Sequence, residues 1–147
     1  MRAQCLLSLG VVFACLGCGP VGESNRAQEE SGLKPLAIFY AEFVPQHEGK
    51  PPKNEYEFKA FLKEPQNLER LNKQFHFPDI DSIFISARDH KPYVVIYGPT
   101  SGEGPAGQPV VAYEQDGVEG KRFVASKLGA VEEVDEDKFR RMVPNPP

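Results

Sequence analysis

The side chains best suited to acid–base work or metal ligation near neutral pH are three histidines, His47, His76 and His90. None belongs to a His-x-x-x-His helical pair, a metalloprotease motif or a Gly-flanked serine turn. All three fall in segments that read as loops, which predicts exposed or turn-stabilising rings. His76, Asp79 and Asp81 could offer ligands from one loop, and Asp116 with Glu119 offers oxygens to calcium. Turns select Asp and Gly for backbone reasons, so turn formation accounts for both groups without a metal. The stretch Gly98-Pro99-Thr100-Ser101-Gly102-Glu103-Gly104 is glycine-rich but lacks the Gly-Lys-Ser/Thr ending that seats phosphates at a helix start. The acidic runs Glu132-Glu133 and Asp135-Glu136-Asp137 fall at a strand end and a helix start, where solvation and capping explain them. No catalytic residue, cofactor or metal site is therefore expected, because no nucleophile, base and orienting group can be assembled.

The remaining chemistry lies in thiols. Cys5, Cys15 and Cys18 all stand in or beside an N-terminal leader: Arg2, an uncharged run from Cys5 to Leu16, then Gly17, Cys18 and Gly19. That order is that of a secretory signal peptide. Twelve residues are too few to cross a bilayer, which takes about 20, so residues 1–17 are expected to be removed. The junction Leu16-Gly17-Cys18 resembles a bacterial lipobox, in which the cysteine thiol receives a diacylglycerol; Cys15 stands where that family prefers leucine. Val12-Phe13-Ala14-Cys15 is a second candidate, with bulky Phe13 where a small residue is preferred. The resemblance implies lipidation at Cys18 and a covalent partnership with membrane lipid, stable because two or more acyl chains hold where one does not.

Removing the leader takes away only Arg2 of the 17 basic side chains, leaving 16 against 21 acidic ones and a net charge of about −5. A mildly acidic chain without clustered Lys and Arg gives no footprint for nucleic acid. The exported part holds no further cysteine, so disulfides, thiol nucleophiles and Cys-ligated zinc or iron–sulfur sites are excluded and packing must hold the fold. Residues 18–31 are poor in bulky apolar side chains and read as a flexible tether. Residues 32–143 suit one globular domain, and residues 144–147 form a Pro-rich tail.

The elements that would position any site follow from periodicity. Leu33, Leu36, Ala37, Tyr40, Phe43 and Val44 share one helical stripe, with Pro45 and Gly49 as terminators, and predict a helix packed on a sheet. Asn54 caps a second helix, with Glu57 three residues on and Phe58, Phe61 and Leu62 facing inward. Pro65 interrupts it, and Leu68 and Leu71 suggest another short helix. Beyond Pro78 the period becomes two: Ile83 with Ile85, then Tyr93–Tyr97, Val110–Tyr113, Arg122–Ala125 and Ala130–Val134 predict short strands. Gly98 to Pro109, with four Gly and three Pro, is a loop. Asp116-Gly117 and Gly129 mark tight reversals between antiparallel neighbours. Asp135 caps a last helix with Phe139, Met142 and Val143 turned inward and Arg140 and Arg141 near its C-terminal end. The fold class is α+β: an amphipathic N-terminal helix and short helices on a small antiparallel meander, then a C-terminal helix.

Tyr40 to Gly49 with Pro51-Pro52, then Arg88-Asp89-His90-Lys91-Pro92-Tyr93, resemble the globular head of type II secretion pseudopilins and related pilin-like secreted proteins. Ala112-Tyr113-Glu114 followed by Gly120-Lys121-Arg122 and the stretch Gly129 to Phe139 resembles the C-terminal segment of the pilin-like family marked by His, nine residues and Asp-Gly. Leu128-Gly129 stands where that motif has Asp-Gly, and Val118 where it has His. Gly10 is not followed by the glutamate of a prepilin peptidase site. The resemblance thus implies a pilin-like head without filament assembly.

Together these readings predict an exported lipoprotein, anchored to the cell membrane or outer membrane, with a non-enzymatic structural or interaction role and an envelope protein as partner. The alternative is a small-ligand or ion-binding lipoprotein with the Gly98–Pro109 loop as a lid over the sheet edge; an enzyme ranks third.

Overall fold

The computed structural model describes residues 31–100 and 102–146. The leader, Cys18 and all but the last residue of the tether lie outside the described residues. The chain folds as an α+β domain in which a four-stranded sheet is covered on both faces.

Helix α1, Leu33–Gln46, buries Leu33, Leu36, Ala37, Phe39, Tyr40, Phe43 and Val44. It lies across strands β2 and β3. Pro35 sits in the first turn, where its missing N–H leaves no helical bond unmade. The helix passes through Pro45 and closes one residue later, with the Gly49 N–H donating to the Val44 carbonyl at 2.8 Å. Helix α2, Glu55–Leu62, starts as expected: the Asn54 side chain accepts the Glu57 N–H at 2.9 Å, while Glu57 reaches back to the Lys53 N–H at 2.7 Å. Helix α3, Pro65–Phe75, opens on Pro65 and ends at His76, whose left-handed backbone closes the last turn. Phe58 is the hub of this layer, meeting Tyr40, Phe43 and Phe84 edge to face at centroid separations of 5.8, 6.3 and 6.2 Å.

Strands β1 (Val94–Val95), β2 (Val110–Tyr113), β3 (Lys121–Ser126) and β4 (Val131–Asp135) pair antiparallel in sequence order, the expected meander. A register irregularity between Val110 and Ala112 turns both Val111 and Ala112 toward α1, while Val110 and Tyr113 face the other way. β3 alternates without interruption: Phe123 and Ala125 face α1, and Val124 faces helix α4, Glu136–Met142. Asp135 caps α4, accepting the Lys138 N–H at 2.8 Å. Phe139, Met142 and Val143 complete a second apolar layer with Tyr113, Val124 and Val134.

One expected strand is absent. Asp81–Phe84 forms a 3-10 helix instead, because the Asp79 carboxylate accepts the Ser82 N–H at 2.8 Å and the Asp79 carbonyl accepts the Ser82 hydroxyl at 2.7 Å, winding the chain before Ile83. Ile85 keeps only an isolated bridge to Pro92. The Tyr93–Tyr97 run shortens to Val94–Val95, although the Ile96 N–H still reaches the Val111 carbonyl at 2.8 Å. Strand β4 also sits one residue later than expected.

Candidate functional site

The histidines do not converge. His47 stacks on Phe43 with centroids 3.6 Å apart, and its Nδ1 lies 2.9 Å from the Phe43 carbonyl. His76 ends α3 and His90 occupies a turn, both with positive φ. Asp79 is committed to Ser82, and Asp81 pairs with Lys59 at 2.7 Å, so the His76, Asp79 and Asp81 set is not gathered around one point. Asp116 is taken by Lys91, and Glu119 turns the backbone with φ of 53°. Among the described residues no three His, Cys, Asp or Glu side chains group as a metal site requires. Glu132 pairs with Lys138, Glu133 with Arg88 at 2.8 Å, and Glu136 with Arg122 at 2.6 Å and Arg140 at 2.9 Å.

The structure instead gathers a polar cluster at one end of β2 and β3 that the sequence did not single out for chemistry. Glu114 is fully buried. One of its oxygens accepts the Ser86 hydroxyl at 2.8 Å and the other accepts the Phe123 N–H at 2.8 Å, in place of a ladder carbonyl. Arg88 lies 4.1 Å from the Phe123 ring, with its Nε 3.8 Å from Glu114 and its Nη1 on Glu133. Asp89 accepts the N–H groups of Lys91 at 3.0 Å, Gly117 at 2.9 Å and Asp116 at 3.2 Å. Its burial works to raise its pKa, but those three N–H groups and the Ser86 hydroxyl outweigh burial and hold it below the usual carboxylate range. Gly117 permits the approach: a methyl there would stand 2.1 Å from the Lys121 carbonyl. These carboxylates are spent on backbone N–H groups and cations, which locks the 86–92 loop and the 115–120 turn to the sheet.

Beside the cluster, burial pushes the Tyr93 hydroxyl up to about 12, with the Glu114 charge adding to it and Ser86, Ser31 and the Gly32 backbone opposing. Neither Tyr93 Oη nor Ser31 Oγ makes a well-directed hydrogen bond in its buried position.

A groove of about 530 Å³ runs between the start of α2 and the outer side of β1. Phe84, Ile85, Tyr93, Val95 and Tyr97 give it an apolar lining, and Glu55, Lys59 and Asp81 form a charged rim. Lys59 bridges Glu55 at 2.6 Å and Asp81 at 2.7 Å and lies 4.8 Å from the Phe84 ring. Desolvation lowers its pKa, but the two carboxylates more than reverse this, and Lys59 in turn lowers Asp81. Burial, then the charge of Glu55 and the proximity of Tyr40, raises the Tyr97 phenol. Ile85 is 43% exposed at the groove mouth.

The Gly98–Pro109 loop does not cover this groove. It is pinned elsewhere: the Gly98 N–H donates to the Pro52 carbonyl at 2.9 Å, and Gly102 abuts the Met142 carbonyl at the end of α4. No helix among the described residues is long and apolar enough to cross a membrane. Compared with protein-family models, curated proteins and solved structures, the chain shows no match.

Proposed function

We propose that this chain is an exported lipoprotein, acylated on Cys18, whose pilin-like head serves as a non-enzymatic interaction module at the cell envelope. The leader, the lipobox-like Leu16-Gly17-Cys18 and the tether support the anchoring half. An N-terminal helix laid on an antiparallel meander supports the pilin-like reading at the level of fold class.

One observation carries the interaction half: the groove beside β1 has an apolar lining, an exposed Ile85 at its mouth, and a rim whose one lysine, Lys59, is engaged by both Glu55 and Asp81. Such a surface offers burial to an incoming apolar side chain and little reactivity, which suits holding a protein segment rather than converting a substrate. The intact mass of the exported protein tests the anchor, the expected result being a chain that starts at an acylated Cys18. A photo-crosslinker in place of Ile85 tests the groove in envelope preparations. A discrete adduct that is lost in Lys59→Glu, with none from a crosslinker at the exposed Tyr56, supports it; equal labelling from both positions refutes it.

A further inference from the structure

We infer that the domain rests on the membrane through a second apolar face, formed where the tether enters, and that the ligand of this face is the surface of an anionic phospholipid bilayer. The inference rests on the tethered reading. Helix α1 and the end of α3 enclose an open groove of about 640 Å³ in which Ile38, Phe75 and Phe77 are only partly buried. The β3–β4 turn extends it: a methyl on Gly129 would lie 2.8 Å from Ile38 Cγ1, so Leu128, 66% exposed, stands beside the same patch. Exposed leucine and half-covered phenylalanines on one side of a small domain call for a covering surface.

Two observations select a bilayer. The chain between Cys18 and Ser31 spans at most roughly 45 Å even when fully extended, and it joins the domain at Ser31, two residues before α1; Lys34, Pro35 and Ile38 of the patch lie in the first two turns of that helix. Lipid on Cys18 therefore delivers this end of the domain to the membrane. Charge is the second. In an exported chain of net charge about −5, the groove lining includes Lys34 and His76, and Lys127 precedes Leu128 in the chain; neither lysine is in an ion pair among the described residues. Of the acids nearest along the chain, Asp79 is turned to the Ser82 N–H and Glu42 is paired with Arg70, while Glu29 and Glu30 belong to the tether. Basic side chains around an apolar patch are the pattern that anionic headgroups attract. The opposite flank of α1 differs: there the Tyr40 hydroxyl donates to the Ile96 and Gly98 carbonyls on the β1 side, where α2 carries Tyr56.

The test uses the full acylated chain, which has no cysteine beyond Cys18, so a single introduced thiol can carry an environment-sensitive dye. Leu128→Cys and Tyr56→Cys are labelled and reconstituted into phosphatidylglycerol-containing vesicles or into phosphatidylcholine vesicles. The expected result is a blue shift and several-fold stronger quenching by a bilayer-resident quencher at position 128 than at 56, larger on anionic vesicles and reduced in Lys34→Glu/Lys127→Glu. Equal exposure at both positions in protein whose mass shows the acyl chains overturns the inference and leaves the anchor standing. A mass without acyl chains refutes the anchor; the unanchored chain with Cys5, Cys15 and Cys18 replaced by serine, labelled at position 128 and mixed with the same anionic vesicles, then reads the face alone, and no shift there overturns it too.

Discussion

Replacing Glu114 with alanine should be among the most damaging single changes available outside the aromatic core. Three groups lose a partner at once: the Phe123 N–H, the Ser86 hydroxyl and the Arg88 guanidinium, whose Nε stands 3.8 Å away. The first two are buried, and an unsatisfied buried donor costs about 1–3 kcal/mol. Breaking a buried ion pair from one side costs about 3–5 kcal/mol, but Arg88 retains Glu133 at 2.8 Å and the face of Phe123, which offsets part of the loss. The sum for Glu114→Ala is therefore about 3–5 kcal/mol, a large share of the roughly 5–15 kcal/mol that holds a small domain together. Glu114→Gln keeps an acceptor for Phe123 and an amide able to serve Ser86, and should lose about 1–2 kcal/mol. Urea titration followed by far-ultraviolet circular dichroism measures both, given an unchanged slope with denaturant. If alanine costs less than 1 kcal/mol, or costs no more than glutamine, the cluster does not bolt the loop to the sheet and the account of it is wrong.

Three further outcomes are expected. Tyr93→Phe removes a buried hydroxyl without a well-directed partner and should be neutral or stabilising by up to about 1 kcal/mol; because the folded pKa of about 12 lies above the unfolded value of about 10, the wild type alone should lose this residue's contribution as pH rises through that window, read by alkaline denaturation of the pair. Tyr40→Phe deletes bonds to the Ile96 and Gly98 carbonyls and should cost about 1 kcal/mol, measured by the same urea titration. Asp89 has a depressed pKa, so its contribution is present above the unfolded carboxylate value near 4 and is lost as pH falls through the folded value; Asp89→Asn should flatten the fall in melting temperature below about pH 4, and an unchanged acid profile would refute this assignment.

The helical half of the fold was legible because its signals are local. The stripe from Leu33 to Val44 and the Asn54 cap each need only a few neighbouring residues to be read, and both stand as expected. The meander was legible from strand spacing and turn residues for the same reason. Ile83 and Ile85 misled because alternation over two positions is weaker than one side chain winding the chain, and Asp79 decides that segment. The polar cluster was hidden for a different reason. Ser86 and Glu114 are 28 positions apart, and only the β2–β3 register brings Phe123 to Glu114. A glutamate directly after the buried Val-Val-Ala-Tyr run was the available signal, since a charge continuing a buried strand needs an interior partner.

The sheet's outer margins have a bearing on crowding. Strand β1 is two residues long and follows Pro92, which has no N–H to offer, while Gly98 and Pro99 bend the chain away soon after it. The other margin, β4, carries Glu132 and Glu133. Short, proline-flanked or charged margins give a neighbouring copy little template on which to extend the sheet. Copies held on a common two-dimensional surface would meet far more often than free ones, and margins of this kind let them collide without zipping into stacked aggregates.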